Sequence, residues 1–124
     1  MILPDILFRA KQKSDNTWVY GIPIQNPKGN LQIRNYFDAF SVIPETLSQY
    51  TGIKDEERNP LYDGDIIKVT DAYDNETIYL IDYKPGGFCA IQKDCNFSTY
   101  LGELYRGEYS IKKLGNIFDD SELF

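Results

Sequence analysis

Thr77-Ile78-Tyr79-Leu80-Ile81-Asp82-Tyr83-Lys84-Pro85-Gly86-Gly87 decides the fold class. Residues 77 to 83 are almost all β-branched, aromatic or aliphatic, the composition that fits a pleated, half-buried surface. Pro-Gly then suits the centre of a type II turn, and Phe88 to Gln92 returns as the second arm of a hairpin. Upstream, Asp65 to Thr70 reads as another strand. Ile66 and Ile67 make it apolar on both faces, so it belongs in the middle of a sheet. Asp71 to Glu76 is the loop between the two.

Working outward, Ile6, Phe8 and Ala10 fall on one face of an alternating run, with Leu7 and Arg9 on the other. A polar tract from Lys11 to Asn16 separates this run from Thr17-Trp18-Val19-Tyr20-Gly21-Ile22, the pattern of a hairpin. Pro23 and Pro27 make residues 24 to 30 an edge or a loop, and Lys28-Gly29-Asn30 is a turn. Leu31 to Phe40 reads as a further strand with Leu31, Ile33 and Phe37 inward. Val42-Ile43 must be extended before Pro44. Thr46-Leu47-Ser48-Gln49 matches a capping box, yet no helical apolar run follows and Gly52 intervenes. A short strand or a single helical turn is expected there.

Towards the end, Phe97, Leu101, Leu104 and Tyr105 recur at helical spacing, with Asn96 as N-cap and Gly107 as stop. Tyr109 to Lys113 and Leu114 to Phe118 are short strand-like pieces, and an acidic stretch with an apolar foot, Asp119 to Phe124, follows. The sum is seven to nine short strands and one short helix without βαβ alternation. The expected class is mainly β, a small barrel or roll with an N-terminal β-hairpin extension, forming one domain over residues 1–124.

The 124 residues carry a net charge of −6, from 19 acidic and 13 basic side chains, with 15% aromatic residues. That balance keeps the chain soluble and disfavours non-specific nucleic-acid binding, which depends on Lys and Arg neutralising phosphates. No secretory signal is read in Met1-Ile2-Leu3-Pro4-Asp5, and no run approaches membrane-spanning length. A cytoplasmic location and no membrane association are expected. Cys89 and Cys95, the only cysteines, read as two free thiols.

Histidine is absent, which removes Ser-His-Asp and Cys-His nucleophile pairs and His-ligated zinc. No Gly-rich phosphate loop is present, and no cofactor is implied. The remaining catalytic option is a carboxylate pair, Asp63 and Asp65, for Mg²⁺ or general-base work. The stronger reading is a turn, because Gly64 takes positive φ and Asp bonds nearby N–H groups. Asp55-Glu56-Glu57 reads as a solvated tip and Asp119-Asp120 as a terminal feature. Aromatics cluster at Tyr36, Phe37 and Phe40 and at Tyr79, Tyr83 and Phe88. Core packing is the default for them. Any exposed fraction suits a protein interface, so Tyr36, Tyr79 and Tyr83 are the candidate interaction aromatics.

The central stretch resembles the YopX family of phage and prophage proteins. The similarity lies in Pro44-Glu45-Thr46-Leu47, Gln49-Tyr50-Thr51-Gly52, Lys54-Asp55 and Leu61-Tyr62-Asp63-Gly64-Asp65-Ile66-Ile67. Phe8-Arg9-Ala10, Trp18-Val19-Tyr20-Gly21 and Leu114-Gly115-Asn116-Ile117-Phe118 agree in order. The chain departs from the family pattern at Glu57-Arg58-Asn59-Pro60, where Asn-Gly is common, and at Asp63, where Glu is usual. The resemblance implies a small SH3-like barrel after the Gly64-Asp65 turn and an origin in a phage, prophage or other mobile element of a bacterium. It implies no activity and carries over no catalytic residue. Gln49, Tyr50, Thr51, Gly52, Lys54, Asp55, Tyr62, Gly64, Asp65, Gly115 and Asn116 are motif positions with a structural role.

The functional expectation is a non-enzymatic accessory protein that binds a host or phage protein, with self-association as a natural companion of open sheet edges. The alternative is a nucleic-acid-binding module on an SH3-like barrel. Acidic mimicry of DNA ranks below both, since −6 is a modest charge.

Overall fold

The computed structural model describes residues 7–124, so Ile6 and the Met1 to Asp5 stretch lie outside the described residues. The chain divides into two compact units, Met1–Tyr50 and Thr51–Phe124.

The first unit opens with the expected hairpin, β1 (Phe8–Lys11) and β2 (Trp18–Gln25), in the register Arg9↔Tyr20 and Lys11↔Trp18. β3 (Leu31–Arg34), β4 (Ala39–Ser41) and the first residues of β5 (Ser48–Lys54) complete a sheet ordered β4-β3-β2-β1-β5. Ala10, Val19, Ile33 and Val42 are its buried core, with Phe8, Leu31, Phe40 and Leu47 packed around them. The sheet curls until Gln12 bridges Val42, and the Ile43 N–H donates to the Lys11 carbonyl at 2.8 Å.

Two expectations change here. β2 runs through Pro23 to Gln25, with Pro23 opposite Ile33. The hairpin closes at Asn26–Asn30. Bonded pairs then alternate outward at 24/32 and 22/34, which puts Pro23 at a non-bonded position where β3 needs no N–H from it. The expected strand from Leu31 to Phe40 is instead a hairpin. Asn35 Oδ1 accepts the Phe37 and Asp38 N–H groups, the chain reverses, and Phe37 is 91% exposed rather than inward. The capping box is not formed. A 3₁₀ turn at Pro44–Thr46 precedes β5. The Thr46 hydroxyl donates to the Ile43 carbonyl at 2.7 Å and accepts the Lys11 N–H at 2.8 Å.

In the second unit the rest of β5 turns into β6 (Pro60–Tyr62), followed by β7 (Asp65–Thr70), β8 (Glu76–Lys84), β9 (Gly87–Gln92) and β10 (Ser98–Tyr100). A six-residue helix, α1 (Leu101–Arg106), leads to β11 (Ser110–Asn116). The sheet order is β10-β9-β8-β7-β11, so β7 is paired on both sides rather than at an edge, as its two-sided apolar sequence requires. Leu61, Ile67, Val69, Tyr79, Ile81, Ala90, Leu101, Leu104 and Ile111 form the core. Gly86 has φ of 95°, as the third position of a type II turn demands.

These strands form an open sheet, with no closed barrel after the Gly64-Asp65 turn. The helix is also shorter than the spacing suggested. Asn96 and Phe97 precede it, Ser98-Thr99-Tyr100 pairs with β9 as β10, and Tyr100 is the N-cap. Gly107 does end it, its N–H donating to the Glu103 carbonyl. The two pieces expected at the end are one strand, β11, with a register shift between Lys113 and Gly115. The described residues hold eleven strands because β4, β6 and β10 are three residues each, too short to give a periodic signal.

One five-residue turn occurs three times, at Asn26–Asn30, Asp55–Asn59 and Asp71–Asn75. In each, the first residue's N–H donates to the fifth residue's carbonyl, at 3.0, 2.9 and 3.0 Å. The first side chain's Oδ1 accepts the N–H groups two and four residues on. The fourth residue has positive φ: Gly29 at 83°, Arg58 at 68° and Asp74 at 63°. This is the three-residue hairpin loop with a left-handed last position.

Candidate functional site

The most exposed apolar surface of the first unit is built by strand alternation. On β2, Val19 and Gly21 are buried and Tyr20 and Ile22 point outward, with Ile24 next on the same face. Register brings Arg34 of β3 opposite Ile22. The β3–β4 turn then lifts Tyr36 and Phe37 clear of the sheet, both almost fully exposed. Ile22, Ile24, Arg34, Asn35 and Tyr36 line a shallow open hollow of about 580 Å³. Asn35 is fixed by donating its amide to the Tyr20 carbonyl at 3.1 Å, so the turn carrying Tyr36 is anchored to β2.

At the β1 end of this face the Arg9 guanidinium lies 4.4 Å from the Trp18 ring centroid and the Lys11 ammonium 5.5 Å from it. Arg9 is buried with its guanidinium over the ring, a cation–π arrangement that orders both side chains. Sequence reading found Tyr36 but missed the rest of the face, since Pro23 had assigned Ile24 to a loop. The outward alternation Tyr20, Ile22, Ile24 was the available signal.

Of the other interaction aromatics, Tyr83 is exposed and meets Phe88 edge-on at 5.3 Å. Tyr79 is only 7% exposed and belongs to the core, because alternation along β8 turns it inward with Ile81. Burial pushes its hydroxyl above the ordinary value of 10.0, with Tyr109 and Cys95 adding to the rise. Cys89 is a buried free thiol and Cys95 an exposed one.

The motif positions serve the backbone. In β5, Gln49 pairs with Phe8, the buried Tyr50 donates its N–H to the Leu7 carbonyl at 2.8 Å, and the Thr51 hydroxyl accepts the Ile53 N–H at 3.1 Å. Gly52 and Gly64 have φ of 85° and 89°, values that a side chain strains. Lys54 closes β5 and is exposed. Asp55 Oδ1 accepts the Glu57 and Asn59 N–H groups, and its Oδ2 accepts the Asn59 amide and the Lys113 N–H. Burial raises its pKa, but these donors together outweigh it and hold the carboxyl below the ordinary value. Asp65 Oδ2 accepts the Tyr62 N–H at 2.7 Å and pairs with the Lys113 ammonium at 3.2 Å, under the Tyr62 ring. Gly115 lies against Asp120, and Asn116 Oδ1 accepts the Phe118 and Asp119 N–H groups.

Asp65 is thus turned into its own corner, while Asp63 lies on the partly exposed side of the turn. Among the described residues no group of three or more His, Cys, Asp or Glu side chains is placed to hold a metal ion. Nor is any described helix long and apolar enough to cross a membrane.

No curated protein matches this sequence. The YopX protein family matches it over residues 7–124, which takes in both units and every motif position described above. The chain therefore belongs to the YopX family.

Proposed function

We propose that the chain is a phage- or prophage-derived accessory protein that works without catalysis of its own, as a protein-interaction module in the cytoplasm of a bacterial host. The docking surface in this reading is the Tyr20–Ile22–Ile24 face with the Tyr36-Phe37 tip. The supporting observation is the exposure of Tyr36, Phe37 and Ile22 side by side. Isolated exposed apolar residues are ordinary, but a contiguous aromatic and aliphatic patch with one Arg has the composition of interface hot spots. The family resemblance supports the phage origin. One family match across both units supports reading them as a single functional module.

The test is affinity capture from bacterial lysate and from infected cells, with and without nuclease. Wild type is compared with Ile22→Asp and with the Tyr36→Ser/Phe37→Ser double variant. A stoichiometric protein partner, retained after nuclease and lost with both variants, is the expected result. A partner held equally by the variants overturns the assignment of this face. Capture that vanishes with nuclease replaces the protein reading with nucleic acid.

A further inference from the structure

The β2–β3 face carries a hole and a knob side by side. Ile22, Ile24, Arg34, Asn35 and Tyr36 line the hollow. Phe37 is not among its walls and projects beside it, almost fully exposed. Asn35 is engaged within the turn, its amide on the Tyr20 carbonyl and its oxygen accepting the Phe37 and Asp38 N–H groups. Arg34 is the charged member of the lining. Asp38 stands at the other end of the same turn, next to Ala39, the register partner of Arg34. Both are exposed. The tip of the patch therefore holds one cation and one anion close together.

Resting on the interaction reading above, we propose that the partner at this face is a second copy of the chain, related by a two-fold axis. Phe37 of each copy enters the hollow of the other, and Arg34 of each meets Asp38 of the other. A two-fold contact must be self-complementary, since both copies offer the same surface. A hole beside a knob satisfies that condition. So does a cation beside an anion, which a half-turn sets against its own opposite. A strongly acidic or basic partner would gain at one of these charges and lose at the other. The Tyr36 ring can stack a nucleobase as readily as a side chain, so the ring does not decide between them. Charge does, because a nucleic acid needs several cations for its phosphates, and the one lining this hollow stands near a carboxylate.

The wider charge distribution agrees. Residues 1–50 carry five basic and four acidic side chains, whereas residues 51–124 carry eight and fifteen. Copies of a chain of net −6 repel one another least through the unit whose charge is balanced. Tyr36 and Phe37 from both copies would bury roughly 600–1,000 Å² together. Tyr20 and Ile22, about half exposed, bring the total towards the roughly 1,200 Å² at which specific interfaces begin. The dimer is accordingly weak, with a dissociation constant on the order of 10–100 μM.

The experiment is sedimentation equilibrium and an NMR dilution series on the full chain, from micromolar to millimolar concentration. The expected result is a reversible monomer–dimer equilibrium, with concentration-dependent shifts centred on Ile22, Ile24, Arg34, Tyr36 and Phe37. Arg34→Glu and Asp38→Lys should each weaken the dimer at least about tenfold, because each sets like charges together twice across the axis. Mixing these two variants should restore association as a heterodimer, since every charge then meets its opposite. Asp38→Asn, which keeps an acceptor for the Ala39 N–H, should weaken the dimer less than Asp38→Lys. Ile22→Asp should be monomeric, and unchanged thermal midpoints show that the variants are folded.

A monomer at every concentration overturns the proposal, as does a dimer that Ile22→Asp leaves intact or a mixture that fails to associate. If the wild-type monomer still holds a foreign protein through Ile22 and Tyr36 in the capture described above, the interaction reading stands with a different occupant. If it holds none, that reading falls as well. Oligo(dT) titrated alongside that shifts Tyr36 and Arg34 in place of a second copy overturns both.

Discussion

Asp65 Oδ2 stands 3.2 Å from Lys113 Nζ with its own side chain wholly buried. Asp55 holds the same lysine by its backbone N–H, at 2.9 Å. Two motif carboxylates therefore fix one residue of β11, one at the main chain and one at the ammonium. Lys113→Met should cost about 3 kcal/mol, because it leaves a buried carboxylate without its cation. Asp65→Asn should cost a similar amount. The double variant should be more stable than the two losses added together, with a coupling of roughly 1–3 kcal/mol. Urea unfolding of the four proteins measures this, and simple additivity would show that the pair is not coupled.

Asp55 sets an acid limb. Its folded carboxyl lies below the ordinary aspartate value of 3.8, so the unfolded chain takes up the proton first. The stabilisation is complete above the unfolded value, and it is lost as pH falls through the lowered folded value. Urea midpoints from pH 7 downward should decline below about pH 4 in wild type. Asp55→Asn should be less stable at neutral pH and decline less steeply. An unchanged slope would assign the limb to other groups.

Arg58 occupies the left-handed position that Gly29 fills in the first of the three matching turns. A non-glycine residue there carries a penalty of roughly 1 kcal/mol, which Asn tolerates better. Arg58→Asn should stabilise the chain by about 0.5 kcal/mol, read as a small rise in the urea midpoint.

Gly21 sits under the proposed docking face, and a Cβ there would strike the Arg34 carbonyl across the β2–β3 pair. Gly21→Ala should cost about 2 kcal/mol as an overpacking change and should weaken partner binding by moving Arg34 and Asn35. Tyr36→Ser, by contrast, should leave stability within about 0.5 kcal/mol. Its loss would appear in binding alone.

The parts that were legible in sequence are the parts whose signals are local. Asp65 to Thr70, residues 77 to 83 and the Pro85-Gly86 turn could be read because consecutive residues agree. The exposure of Tyr36 and Phe37 could not, since it follows from one Asn35 side chain reversing the chain. The helix was misjudged because Phe97 matched its period by chance while Ser98 to Tyr100 paired with β9. Asp55 read as a solvated tip. Its backbone partner on β11 is 58 residues away, a distance at which no spacing rule operates.

That long-range contact has a consequence for how the chain survives acid. β11 is an outer strand of its sheet, and the Asp55–Asn59 turn lies along it: the Glu56 N–H bonds the Ile111 carbonyl and the Ser110 hydroxyl bonds Glu56. The turn is a clasp over a strand edge, and an ionised carboxylate is its catch. Protonation of Asp55 should weaken that catch and loosen the cover over the Lys113 end of β11, a strand edge that the turn otherwise shields from pairing with another chain.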